Sequence, residues 1–143
     1  MSTAGFQKII SASVADRADL FLATANRLGA PLINIEKDFW VCWTLNALYH
    51  RLPAGGPRLL FKGGTSLSKA YGLIERFSED IDVTVFRDDL GHRATPEALA
   101  ALSGKKRKAA IEAIQTDCQA YITGPLLAAL SELIVEDAGG EGR

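Results

Sequence analysis

Two short clusters in this 143-residue chain have the residue types and spacing to do chemistry. The first is Lys62-Gly63-Gly64-Thr65-Ser66. Two glycines let the backbone take positive φ and approach a ligand closely. A helix starting at Thr65 would offer free N–H groups and a partial positive charge at its first turn. With the Thr65 and Ser66 hydroxyls, these groups make a cradle for phosphate. Taken alone, the same residues also read as a tight strand-to-helix turn capped by Thr65, and their glycine spacing fits neither the Walker A loop nor the dinucleotide fingerprint. The second cluster is Asp80-Ile81-Asp82. Residues two apart on a strand project from one face, and two carboxylates held that close repel unless a cation lies between them. Mg²⁺ (or Mn²⁺) suits carboxylate and phosphate oxygens. An Asp-x-Asp strand beside a phosphate cradle is a way to hold metal ions around a triphosphate. Strands are poor in aspartate, which weighs against a plain solvent-facing edge.

A third cluster, Lys105-Lys106-Arg107-Lys108, is basic. Four cations opening a helix oppose its dipole. An RNA backbone would offset that cost; a solvated helix surface is the plainer alternative. His50 and His92 are isolated and receive no role. Cys42 and Cys118 lack metal-ligand spacing and read as buried thiols, which fits a reducing compartment.

The elements that would position these residues follow from periodicity. Phe6 to Arg27 reads as one amphipathic helix, with Phe6, Ile9, Ile10, Val14, Phe21 and Leu28 recurring near the helical period. Asn34 is the expected N-cap of a second helix, Ile35 to Arg51, which is apolar on most sides and therefore expected to be buried. Arg58 to Lys62 reads as a strand and is followed by a helix with Leu67, Ala70, Tyr71 and Ile74 on one face. A second strand, Glu79 to Phe86, alternates Ile81, Val83 and Val85 with Asp80, Asp82 and Thr84. Arg87 to Gly104 is irregular. A helix from Lys105 to Thr123 would turn Ile111, Ile114, Cys118, Tyr121 and Ile122 to the core. Gly124-Pro125 would interrupt it, with Pro125 opening a short last helix to about Val135. The result is an α/β (α+β) pattern: N-terminal helices (residues 1–52), a strand-turn-helix-strand unit (53–90) and C-terminal helices (104–135) on a small mixed sheet.

Phe61 to Lys69, followed by Arg76-Phe77-Ser78-Glu79-Asp80-Ile81-Asp82, resembles the AbiEii/AbiGii toxin family within the polymerase-beta-like nucleotidyltransferase superfamily. Ile35-Glu36-Lys37-Asp38-Phe39-Trp40-Val41 is similar to that family's N-terminal signature, with no role assignable to Glu36, Lys37 and Asp38. The resemblance implies a nucleotidyltransferase palm and a metal-dependent transfer of a nucleotide from a nucleoside triphosphate to an RNA acceptor such as tRNA. It also implies a cognate antitoxin. By position, Gly63, Gly64, Thr65, Ser66 and Lys69 would bind the nucleotide, and Asp80 and Asp82 would hold Mg²⁺ (or Mn²⁺) and carry catalysis. Lys62 and Arg76 are further candidates to line the anionic substrate. The palm normally takes a third carboxylate from a later strand, and no such strand is legible after Phe86. Asp117 falls in a helix and Glu136-Asp137 in a terminal tail. The expectation is a single palm domain over residues 1–143 that is incomplete, with two alternatives to the active enzyme: a degenerate module that binds nucleotide or antitoxin without catalysis, and a phosphotransferase.

Composition sets the outer bounds. The formal net charge is −1, which does not indicate a globally basic nucleic-acid binder. The N-terminus has no signal-peptide layout, and no continuous apolar run reaches the ~20 residues of a membrane span. A cytoplasmic protein without membrane contact is expected. Its short sheet would seek a second copy or an antitoxin along the exposed edge.

Overall fold

The structure, a computed structural model, describes residues 1–63 and 80–139. The N-terminal amphipathic segment folds as two helices, α1 (Thr3–Ile10) and α2 (Val14–Leu28), where one was expected. The break has a local cause. Ser13 caps α2, its hydroxyl accepting from the Asp16 N–H at 3.1 Å and donating to the Asp16 carboxylate at 2.7 Å. Arg17 donates to the Ile10 and Ala12 carbonyls that end α1. Val14 and Leu28, expected in the core, are exposed.

Helix α3 (Leu32–Asn46) starts earlier than expected, because Pro31 rather than Asn34 occupies the cap position. Proline presets the entry φ, −58° here, without needing a side-chain cap. The helix runs on into a π-helical turn, Ala47–Arg51. As its all-round apolarity predicts, Phe39, Val41, Trp43, Ala47 and Leu48 are buried. Phe39 is central, with ring centroids 5.6 Å from Phe6, 5.3 Å from Phe21 and 5.2 Å from Trp40.

Strands β1 (Leu59–Lys62) and β2 (Asp82–Val85) pair antiparallel, and they are the only sheet among the described residues. The expectation of a mixed sheet is therefore corrected. The helices also pack mainly on one another: α1, α2 and α3 share a core with Leu130, Leu133 and Ile134. The sheet meets this body through Phe61, whose ring centroid is 6.3 Å from that of Tyr49.

After β2 come a 3₁₀ turn (Arg87–Leu90) and a short helix, α4 (Pro96–Ala100), in a stretch expected to be irregular. Then α5 (Gly104–Tyr121) and α6 (Leu127–Asp137) are joined by a π-helical turn, Ile122–Leu126. Gly124-Pro125 does not interrupt the helix. Widening the turn gives the Pro125 ring room that an α-turn denies it. No residue of α5 is buried, which corrects its expected core face: Ile114, Cys118 and Tyr121 are half-buried, and Ile111 and Ile122 are exposed. The continuous helix 104–137 is, by length and composition alone, apolar enough to cross a membrane. The sequence expectation missed this because the helix is joined through Pro125. In the fold its second half packs the partly buried Leu130, Leu133 and Ile134 against the core.

The lock at its end was not foreseen. Asp137 is 2 % exposed. Its carboxylate accepts from Trp43 Nε1 at 2.7 Å, from Arg51 at 2.6 and 2.8 Å, and from Gln7 Nε2 at 3.1 Å. Burial alone would raise its pKa. The hydrogen bonds from Arg51, Trp43 and Gln7 outweigh that and hold the carboxyl below its ordinary value. The Arg51 guanidinium is correspondingly held above its own. Asp137 thus belongs to the body of the fold, not to the terminal tail expected from the sequence.

Candidate active site

The two strands fix the geometry. Lys62 lies opposite Asp82, Leu60 opposite Thr84, Phe61 opposite Val83 and Leu59 opposite Val85. Cross-strand partners share a face. Phe61, Val83, Val85 and Leu59 therefore lie on the face toward the helices, and Lys62, Leu60, Asp82 and Thr84 on the other. Lys62 and Asp82 are exposed and Leu60 is 51 % exposed. The Asp82 carboxylate is presented to solvent by strand alternation, as the sequence predicts.

Gly63 follows Lys62 with φ +82°, in the region that favours glycine. A Cβ placed there would collide with the Asp82 carboxylate, its carbon lying only 2.9 Å away. The first glycine of the pair and the second aspartate of the Asp-x-Asp are therefore in contact, and the glycine keeps open the space the carboxylate uses. Among the described residues the Asp82 carboxylate has no ion-pair partner. An exposed oxygen donor beside a glycine-lined opening fits a hard divalent cation such as Mg²⁺. Asp80 is exposed and lies just before β2 rather than within it. Gly64, Thr65, Ser66, Lys69 and Arg76, and with them the expected phosphate cradle, lie outside the described residues.

The far end of the strand pair is clamped by a pair that sequence reading missed. Asp89 accepts from the Arg58 backbone N–H at 2.9 Å and from its guanidinium at 2.8 and 3.1 Å. The Arg58 guanidinium also sits 4.6 Å from the Phe86 ring centroid. Hydrogen bonds from the Arg58 side chain and backbone hold the Asp89 carboxyl below its ordinary value. A basic residue before one strand and an acidic residue shortly after its antiparallel partner was the available signal.

Three aspartates after β2, Asp89, Asp117 and Asp137, are engaged. Asp137 is spent in the core. The Asp117 carboxylate accepts from His92 Nε2 at 2.6 Å, so neither His92 nor Asp117 is isolated. Among the described residues no group of three metal-ligating side chains forms, and no strand follows Val85. The basic run is divided. Arg107 donates to the carbonyls of Leu99, Ala100 and Leu102, closing the end of α4. Lys108 pairs with Glu112 at 3.8 Å. Lys105 and Lys106 are exposed. Neither cysteine is in a disulfide, and both are half-buried rather than fully buried.

No curated protein and no solved structure matches the chain. A family model for the nucleotidyl transferase AbiEii toxin of type IV toxin–antitoxin systems matches residues 46–122. The matched span takes in both strands, Gly63, Asp82 and the whole of α5, and begins after the Ile35–Val41 segment. It covers more than half of the chain, and the chain belongs to the AbiEii nucleotidyl transferase toxin family.

Proposed function

We propose that this protein transfers a nucleotide from a nucleoside triphosphate to an RNA acceptor in the cytoplasm, with Mg²⁺ (or Mn²⁺) as the required ion and an antitoxin as cognate partner. The observation that carries the reading is the contact between Gly63 and the Asp82 carboxylate. It joins the glycine turn to the Asp-x-Asp across a β-ladder within the family match. In the proposed transfer an acceptor hydroxyl attacks the α-phosphorus. The new bond is oxygen to α-phosphorus, the bond broken links the α- and β-phosphates, and pyrophosphate leaves. A divalent ion would supply charge neutralisation at the phosphates and a lowered pKa at the acceptor hydroxyl. Asp82, and Asp80 beside it, would hold that ion. Gly63 would keep the carboxylate's space clear, with Gly64, Thr65, Ser66 and Lys69 as the triphosphate contacts.

The test is incubation with total RNA and α-labelled or γ-labelled triphosphates. Label from the α-position alone establishes nucleotidyl transfer, and label from the γ-position establishes phosphoryl transfer instead. A second reading, binding without catalysis, is favoured by the engagement of Asp89, Asp117 and Asp137 elsewhere. Mg²⁺-dependent triphosphate binding with no transfer of either label would select it.

A further inference from the structure

The register of the strand pair sets a cation directly across from the candidate metal ligand. Lys62 and Asp82 are cross-strand partners, so both side chains rise from the face that points away from the helices. Both residues are exposed. Opposite charges placed this way ordinarily pair across the ladder. These two do not: no ion pair joins the Lys62 ammonium to the Asp82 carboxylate, and neither side chain pairs with any other described residue. The backbone beside them supplies the reason. Gly63 turns the chain at φ +82°. The carboxylate leans into the space left by the absent side chain, its carbon 2.9 Å from where a Cβ would stand. The acid is drawn toward the glycine turn, and the lysine across from it keeps its charge uncompensated.

Neither charge alone makes this face a good host. Lys62 repels a divalent cation arriving at Asp82, and Asp82 repels a polyphosphate arriving at Lys62; solvent and salt weaken both effects without removing them. The face is balanced when the two ligands arrive together, because the metal's charge and the phosphate's offset each other. Lysine suits phosphate as a compact point charge. Lys62 also opens the Lys62-Gly63-Gly64-Thr65-Ser66 run, so it stands on the chain that leads into the expected phosphate cradle.

We infer that Lys62 binds the polyphosphate of the nucleotide, and that Lys62 and Asp82 together make the site select the metal–polyphosphate complex over free metal. The nature of the ligand rests on the transferase reading; the position of Lys62 rests on the strand register.

The test reads two affinities of the full chain without RNA and without turnover. Free Mn²⁺ is followed by electron paramagnetic resonance, and manganese-saturated inorganic tripolyphosphate by calorimetry. Lys62→Gln should move the two in opposite directions. Free Mn²⁺ should bind about 2- to 5-fold more tightly, as a nearby positive charge is removed. Tripolyphosphate should bind on the order of 10-fold more weakly, as a hydrogen bond to a charged group is lost. Lys62→Arg keeps the charge and should stay close to the parent in both. Lys8→Gln, at an exposed lysine of α1, controls for general loss of charge and should shift neither. The crossed shift separates a ligand contact from a structural role, which would lower both affinities together. Unchanged tripolyphosphate affinity in Lys62→Gln, free Mn²⁺ affinity that does not rise, or no tripolyphosphate binding by the parent up to about 5 mM would overturn the inference. If the crossed shift appears while no triphosphate label reaches RNA, the Lys62 assignment stands and the transferase reading fails. If label is transferred while Lys62→Gln shifts neither affinity, the transferase reading stands and the assignment fails.

Discussion

Asp82 and Asp137 are carboxylates of the same chain with opposite circumstances. Asp137 is sealed in the core and accepts four hydrogen bonds from Gln7, Trp43 and Arg51. Asp82 stands at the first position of a four-residue strand, exposed, with a glycine against it. A buried charge persists only where partners replace its hydration. An exposed charge without an ion-pair partner among the described residues gives stability little and remains available to a ligand. The difference separates the acid that holds the protein together from the acid proposed to face substrate.

The largest expected effects should fall on opposite readouts. Asp137→Asn leaves the Arg51 guanidinium with only the exposed Glu136 carboxylate at 3.4 Å and should cost about 3–5 kcal/mol of stability, measured by urea unfolding. Transfer per folded molecule should be unchanged. Asp82→Ala should leave stability within about 0.5 kcal/mol and lower transfer by on the order of 10²–10³, measured with α-labelled triphosphate. If both variants lose both properties, the division of labour fails. The same contrast has a pH arm. The Asp137 carboxyl is held below its ordinary value, so its contribution is fully present above the unfolded-state pKa of about 3.9. That contribution is lost as pH falls through the folded value. Stability of the parent should therefore drop in acid below about pH 4, and Asp137→Asn should flatten that drop.

The contrast also explains what was legible in the sequence. Asp82 declares itself locally, because an acid in a β-branched strand violates the strand's own preferences. Gly63 does so for a similar reason, as a glycine at a strand end where φ must turn positive. Asp137 is invisible by such rules. Its three partners lie far away in sequence, and an acid near a chain end resembles solvated tail until tertiary packing brings Arg51 and Trp43 to it. Periodicity placed α3 and both strands close to their observed bounds. It misjudged α5, where apolar spacing predicts a core face but no other described element buries it. The bend at Pro125 was overread because a π-turn absorbs proline at no cost visible in the sequence.

Gly63 allows the contrast to be sharpened. Gly63→Ala should cost about 1–2 kcal/mol for its left-handed backbone. Its methyl must also displace the Asp82 carboxylate, so transfer should fall about 10-fold or more through misplacement of that group. Gly29 has φ +61° with open space around it. Gly29→Ala should cost a similar amount of stability and leave transfer intact. Equal transfer in the two variants would remove Gly63 from the site.

The basic helix start divides along the same line. Arg107 closes the end of α4, and Arg107→Gln should lower stability by about 1 kcal/mol with little change in the salt dependence of RNA binding. Lys105 and Lys106 are exposed, and changing both to Gln should reduce the slope of log affinity against log salt by roughly 2. An unchanged slope would return both lysines to solvated surface.

The smallest expected effect concerns Asp117, a carboxylate after β2 that could upset the assignment. Asp117 pairs with His92 at 2.6 Å, with Asp117 52 % exposed and His92 23 %. The pair ties the segment after the 3₁₀ turn to α5, so its geometry reads as a surface brace. Exposed pairs of this kind contribute about 0–1 kcal/mol. His92→Ala, Asp117→Ala and the double variant should therefore form a cycle with a coupling below about 1 kcal/mol in urea unfolding, and transfer should be unchanged in all three. The informative alternative is a loss of transfer with stability preserved. Were Asp117→Ala to lower transfer 100-fold while His92→Ala did not, Asp117 would be acting on substrate rather than bracing the turn. It would then be a third carboxylate supplied by a helix instead of a strand, and the catalytic set would extend beyond Asp80 and Asp82.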